Sequence, residues 1–435
     1  MWITALVIVA AGLRVAWAFY ASRPPRVGDP LAYIFYGKEL ARGHGYRSFM
    51  AVLAGISGHP LGDQPAPPTA FYPIGFPGAL GGLFWMVFHT PWPDSEAGLA
   101  RAVGLFNACC DVGTVLLVFG VARRLFDNRV GLVAAGIVAL FPNLIFMSAS
   151  AHLETLFNFT LMAAVYVAVS ADWSRGELRT RRLLAFGAVL AVSALVRPFS
   201  LLFLPVLGAV LWAAGSGWAR AARQVAIAAL AAVVVLSPWT IRNVRAMRAP
   251  VFIATNLGEA LCLDRNPDAT GAFSDTRRWC RAPYSHLPLR DVEVAQNRGG
   301  IRTALRFVVE NPATEARLIL WRGYYTYRSD HDGLTANESN GSDRFIPPRI
   351  RGLLTVVADS WFFAILALAL LGLPAFLSRR HPRRLFVALC AAAMAVVPLG
   401  LYGHPRFHEP LLPFLAILAA APLCALFRAG RQRVA

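Results

Sequence analysis

Charge is what this sequence has least of. Only 15% of its 435 residues are charged, against 57% hydrophobic. That balance cannot coat a soluble protein of this size and points to a chain solvated largely by lipid. Lysine is nearly absent: Lys38 is the single one, so almost all of the +18 formal net charge is arginine. In a soluble protein such a charge would suggest nucleic acid. Here the arginines collect in short loops between apolar runs, where they orient helices in a membrane, and no nucleic-acid partner is expected. A glycine-rich nucleotide-phosphate loop, an internal repeat and a low-complexity tract are all missing. Six cysteines are too few for a disulfide scaffold. Cys109, Cys110, Cys390 and Cys424 fall in apolar runs and read as small buried side chains. Cys262 and Cys280 lie in a long polar stretch and can pair if that stretch faces an oxidising compartment.

What is present is apolar sequence in blocks of membrane-spanning length. Residues 2–20 can cross a hydrocarbon core of about 30 Å. They lack the basic start of a signal peptide and are interrupted by Arg14, so they read as an uncleaved helix. Further runs occupy 98–122, 130–149, 155–171, 183–196, 199–214, 224–239, 353–377, 385–402 and 410–427. Arg197-Pro198 separates two short ones, because proline discourages helix at the residue before it. The expectation is an all-α polytopic membrane protein of about ten transmembrane helices.

Charge then assigns the sides. With the N-terminus inside, the segments 123–129, 172–182, 216–224, 378–384 and the tail from Arg428 are cytoplasmic. Their net charges are +2, +2, +2, +4 and +3. The first outer loop, 21–97, sums to zero. This alternation obeys the positive-inside rule, and shifting the count by one helix breaks it. Three parts follow: a transmembrane module 1–239 that includes the first outer loop, an outer-face segment 240–352, and a C-terminal three-helix part 353–435. Within the first loop, 31–42 and 74–89 read as helices along the interface. The outer segment carries amphipathic stretches near 299–309 and 313–327, divided by Asn311-Pro312.

Polar groups recur at the outer ends of the spans. Asp29, in Gly28-Asp29-Pro30-Leu31-Ala32-Tyr33, either caps the helix that follows or acts as a general base. Tyr72 opens a stiff turn of prolines and aromatics that runs to Pro77. Glu154, after His152, is either a first-turn carboxylate favoured by the helix dipole or a functional group at a helix mouth. Arg197, Arg242 (followed by Asn243) and Arg406 (in Gly403-His404-Pro405-Arg406-Phe407-His408) share that outer face. Arginine is the exception there, and three together suit a phosphate or diphosphate headgroup better than independent snorkelling.

In this order the motifs resemble the GT-C superfamily of integral-membrane glycosyltransferases. The match is to the bacterial branch related to dolichyl-phosphate-mannose–protein mannosyltransferases and aminoarabinose transferases. The resemblance rests on Asp29 to Tyr33 with Gly43 to Tyr46, Tyr72 to Pro77, Glu154 to Phe157, Leu195 to Pro198, Pro238 to Asn243, and Arg406 to Pro410. It implies a seven-helix module ahead of the outer segment and transfer of a sugar from a polyprenyl-phosphate donor to a hydroxyl of a glycan, lipid or protein. The reaction would run on the outer face of the bacterial plasma membrane, with both termini cytoplasmic. Asp29 and Glu154 would be the catalytic carboxylates. Arg197, Arg242, Arg406 and His404 would meet the lipid phosphate, and Tyr33, Tyr72, His152 and Asn243 the substrates. No cofactor or metal is implied, and no Asp-Asp pair follows the first helix. Leu153 stands where many relatives have serine. A transporter, flippase or polymer ligase for lipid-linked saccharides is the alternative. A transporter would be expected to place polar groups at mid-membrane, where only Asp111 and Asp359 stand out.

Overall fold

A computed structural model of the chain describes residues 2–49, 66–173, 176–274, 277–284 and 286–434. Residues 50–65 of the expected first outer loop lie outside the described residues. The described residues are helical, with two isolated β-bridges and no strand.

The first helix, α1 (Trp2–Ala21), crosses α4 (Glu96–Leu125), and between them lie α2 (Asp29–Ala41) and α3 (Gly75–Phe88). Helix α4 begins on the Ser95 hydroxyl, which accepts from the Gly98 amide, and it ends in Arg123 and Arg124. Both ends therefore complement the helix dipole. Asp127 caps α5 (Asn128–Ala139), and a bend of 55° leads into α6 (Pro142–Ser148). The run 130–149, read from sequence as one span, is thus broken before Pro142, a residue with no amide proton to continue the helix. After α6 come α7 (Glu154–Val169) and α8 (Thr180–Val196), then a 3-10 turn at Pro198–Leu202 and α9 (Phe203–Leu211). That is the two-helix arrangement expected at Arg197-Pro198.

Helix α10 (Trp218–Met247) continues through Pro238 and closes on Arg248 at φ 50. Its end, expected at 239, lies two turns further on. The segment that follows holds α11 (Leu257–Cys262), α12 (Leu289–Glu310), α13 (Pro312–Tyr327) and α14 (Asp332–Asn337), and a disulfide joins Cys262 to Cys280. Last come α15 (Pro348–Gly372), α16 (Pro382–Val396), a 3-10 turn at Pro405–Leu411, and α17 (Leu412–Val434).

Among the described residues seven helices are long and apolar enough to cross a membrane, or eight if the bent α5–α6 pair is one span. Helices α7 and α8 are shorter members of the same bundle. Leu230, Val233 and Val234 on α10, and Leu353, Leu370 and Leu371 on α15, are each more than half exposed. Apolar surface of that extent belongs in lipid. This is a multi-pass membrane protein.

Two buried arginines hold the bundle together. Arg14 donates to Asp111 Oδ2 at 3.0 Å, to Ala139 O at 2.9 Å and to Val138 O at 3.0 Å. It thereby satisfies the carbonyls left open where α5 breaks, and it accounts for the charge inside both α1 and α4. Asp359 likewise has structural partners, accepting from the Asp330 amide and meeting His331 Nδ1 at 3.0 Å. Arg322, fully buried on α13, meets Asp264 at 2.7 Å, Glu315 at 2.6 Å and Leu399 O at 3.1 Å. Arg265 adds Glu315 at 2.8 Å and Gly400 O at 3.0 Å. This network fastens the 248–347 segment to the turn preceding His404.

Arg14→Met leaves Asp111 buried without its cation, so thermal unfolding in detergent should show a loss of about 3–5 kcal/mol. Adding Asp111→Leu should recover a substantial part of it.

Candidate functional site

The site starts from a glycine. Gly28 takes φ 78, a left-handed conformation open to a residue without Cβ, and Pro30 fits the first turn that follows. Helix α2 therefore begins at Asp29, which lies in its first turn while Gly28 holds the N-cap position. The Asp29 carboxylate receives two side chains: Tyr72 Oη donates to Oδ1 at 2.7 Å and Arg406 Nη2 to Oδ2 at 2.8 Å. Asp29 is therefore not the N-cap residue, and its carboxylate oxygens are both engaged by side chains. Helix α2 is held flush on α3 because Gly37 on α2 and Gly81 on α3 each face the other helix; a Cβ on Gly37 would come within 2.8 Å of Leu80 and Phe84.

Arg406 continues the chain of charges. Its Nε lies 3.2 Å from Glu154 Oε1, and Arg197 Nη2 donates to the same oxygen at 2.6 Å. Asp29, Arg406, Glu154 and Arg197 thus alternate in sign across four elements: the start of α2, the 3-10 turn before α17, the start of α7 and the end of α8. Arg197 reaches Glu154 because Pro198 forces it into an extended conformation (φ −149, ψ 117) and out of the helix. It stacks near the Phe157 and Phe407 rings, 5.8 and 5.5 Å from their centroids. Both arginines are tied to carboxylates rather than snorkelling.

The two carboxylates differ in access. The Asp29 side chain is 29% exposed, that of Glu154 only 1%. Glu154 keeps Oε2 buried with no hydrogen-bond partner. Burial works against the Asp29 charge, but Arg406 and the Tyr72 hydroxyl outweigh it and hold the carboxyl down at about 2. His152, bonded through Nδ1 to Ser150 Oγ at 2.6 Å, is pushed by burial, and then by Arg406, to about 4. It is neutral at pH 7. His404 accepts from the Arg406 amide at 3.2 Å and lies 4.0 Å from Asp332. Tyr33 packs edge-on to Tyr72 and Phe76, with centroids at 4.9 and 5.3 Å.

The structure therefore brings together Asp29, Tyr33, Tyr72, His152, Glu154, Arg197, His404 and Arg406. It does not bring Arg242 or Asn243 to them. Arg242 bonds the carbonyls of Thr69 and Tyr46, and Asn243 bonds Ile253 O at 3.1 Å. Sequence reading gave no role to Asp332, Phe157, Phe407 or Tyr402, the last being half-buried and electrostatically linked to Arg406 and Asp29. Tyr402 and Phe407 sit within or beside the His404 motif, so proximity was the available signal; Asp332 had none. Among the described residues no three His, Cys, Asp or Glu side chains converge as metal ligands.

Residues 98–241 match the family model described as dolichyl-phosphate-mannose-protein mannosyltransferase, which is less than half of the chain. The oligosaccharyltransferase of Archaeoglobus fulgidus in its apo form superposes on 100% of the chain with a TM-score of 0.57 at 15% identity. The match covers 52% of that protein. Its complex with an inhibitory peptide and a dolichol-phosphate gives 0.56 at 14%, over 100% of this chain and 52% of that one. The chain has the GT-C fold. It spans about half the length of those oligosaccharyltransferase structures. ArnT from Cupriavidus metallidurans, bound to undecaprenyl phosphate, superposes at TM-score 0.43 and 13% identity, over 97% of this chain and 78% of that one. No curated protein sequence matches. In this GT-C chain the matched region, 98–241, contains Glu154 and Arg197, while Asp29 and Arg406 lie outside it.

Asp29 is held below the value of about 3.9 that it has in an unfolded chain, so its pairing stabilises the fold above about pH 4. That stability is lost as pH falls towards 2. Arg406→Gln should lower the melting temperature at pH 7, corresponding to about 2 kcal/mol. The gap from wild type should close as pH is lowered from about 4 to 2.

Proposed function

We propose that this GT-C chain is a glycosyltransferase that moves a sugar from a polyprenyl-phosphate donor to an acceptor hydroxyl. The observation that carries the reading is the alternating set Asp29–Arg406–Glu154–Arg197, in which Asp29 is the carboxylate with an open flank. The acceptor oxygen attacks the anomeric carbon while Asp29 takes its proton. The bond from that carbon to the phosphate oxygen breaks, and the polyprenyl phosphate departs with the added negative charge. Fixed guanidinium groups at that point stabilise the developing charge. Arg406 is best placed for it, with Arg197 behind and His404 beside.

One consequence concerns Asp29 itself. Bonded to Arg406 it is a weak base, with a carboxyl held at about 2. A phosphodiester competing for the same guanidinium relaxes that hold and returns the carboxylate towards its ordinary basicity. Glu154, sealed from solvent, then serves to anchor the two arginines rather than to meet substrate. The family matched over 98–241 and the dolichol-phosphate held by the archaeal oligosaccharyltransferase in one of its complexes support a lipid-linked donor.

The site faces the outside of the plasma membrane in this reading, with both termini cytoplasmic. The basic loops on the opposite side and the Cys262–Cys280 disulfide support that orientation.

Two measurements test these statements. Asp29→Asn, purified in detergent and given a polyprenyl-phosphate sugar, should lose transfer by roughly 10²–10⁴-fold; retained transfer by a folded variant overturns the base assignment. Cysteine at Thr303, on the exposed face of α12, should react with an impermeant maleimide in intact cells. Reaction only after lysis overturns the orientation.

A further inference from the structure

Glu293, on α12, is far from the motifs that drew attention in the sequence, yet it accepts three hydrogen bonds at one place. Thr69 Oγ1 donates to Oε2 at 2.6 Å, while the Ala70 amide and Thr255 Oγ1 donate to Oε1 at 2.8 and 2.6 Å. The Thr69 hydroxyl in turn accepts from the Phe71 amide at 3.0 Å, and the Thr255 amide donates to Ala70 O at 2.9 Å. Thr69 and Ala70 are fully buried. Such a carboxylate, spending both oxygens on the main chain and hydroxyls around one loop, fixes that loop's path.

The opposite side of the loop is gripped as well. Arg242 donates to Thr69 O and, at 2.9 Å, to Tyr46 O; Tyr46 Oη donates to Tyr72 O at 3.1 Å. Arg242 and Glu293 therefore hold the loop from two sides, one through carbonyls and the other through N–H and O–H groups. Two residues beyond this grip is Tyr72, whose hydroxyl is bonded to Asp29.

We infer that Glu293 is a positioning residue for the transfer reaction: with Arg242 it clamps 69–71 so that Tyr72 is held on Asp29. The inference rests on the reading of Asp29 as base. It gives Arg242 a place in the machinery different from phosphate binding, and it links the 248–347 segment to the base through Glu293 and Thr255. The groups facing Asp29 are Tyr72, Arg406, His152 and Tyr33, with Glu154, Arg197 and Tyr402 behind them. Those facing Glu293 are Arg242, Tyr36 and Tyr46.

The Tyr72 hydroxyl favours the ionised Asp29, so slackening it raises the Asp29 carboxyl and moves the acidic limb of kcat/KM to higher pH. Tyr72→Phe and Glu293→Gln should each move that limb up by about half to one pH unit. The double variant should move it no further, since both act through one bond. Thr69→Val, which removes one donor and leaves Glu293 in place, should give a smaller shift in the same sense. An unmoved limb in Glu293→Gln, or shifts that add in the double variant, overturns the inference while Asp29→Asn remains inactive. Full activity in Asp29→Asn defeats the base reading instead. A readout without substrate then tests the clamp alone: amide hydrogen exchange at Ala70 and Phe71 should quicken at least tenfold in Glu293→Gln and not in Tyr72→Phe. Unchanged exchange in Glu293→Gln overturns it.

Discussion

Arg406 lies between two carboxylates that come from opposite ends of the fold's architecture. Asp29 stands at the start of α2, Glu154 at the head of α7, and the guanidinium that joins them is supplied by the turn before the last helix. Removing three such charges from water is costly unless each is paired, and here each pairing also fixes an element. Arg197 completes the set by taking the same Glu154 oxygen. The neutral, closed arrangement explains how a densely charged cluster sits at the head of an apolar bundle. It also explains why the cluster is responsive: any anion that engages Arg406 alters the charge balance on Asp29.

The surroundings serve that cluster by holding its turns. Arg322 and Arg265 pin the turn ahead of His404 through the Leu399 and Gly400 carbonyls. Pro198 holds Arg197 out of the helix, and Gly28 lets α2 start with Asp29 as its first residue. Glu293 and Arg242 fix the approach of Tyr72. Deeper in the bundle, Arg14 caps the broken α5 and neutralises Asp111, so the charge pair inside α1 and α4 is structural. A transporter would instead be expected to place polar groups at mid-membrane for substrate or ions. The GT-C fold here thus keeps its open polar chemistry at one end of the helices.

Much of the helix pattern was legible because hydrophobic blocks of spanning length survive any tertiary context. All ten apolar runs are helical, and the break at Arg197-Pro198 falls where proline sterics put it. Two boundaries were misread for local reasons. The 130–149 run bends before Pro142, where Arg14, remote in sequence, satisfies the freed carbonyls. Pro238 did not end its helix, which runs on to Met247. The motifs containing Asp29, Glu154, Arg197 and Arg406 were each visible as polar exceptions beside apolar runs. Arg242 looked equivalent to the other arginines and is not, because its partners are backbone carbonyls that no sequence pattern advertises.

The sequence by itself determined the class of solvent, the helical content and the set of ionisable residues gathered at the ends of the spans. Hydrophobicity and charge are additive along a chain and can be read without knowing what touches what. Only the tertiary structure decided that Asp29 is bonded rather than capping, that Glu154 is sealed and Asp29 open, and that Glu293 grips the loop leading to Tyr72. Those distinctions depend on pairings across up to 377 positions of sequence separation. Burial and hydrogen bonding are properties of such pairings rather than of any residue alone.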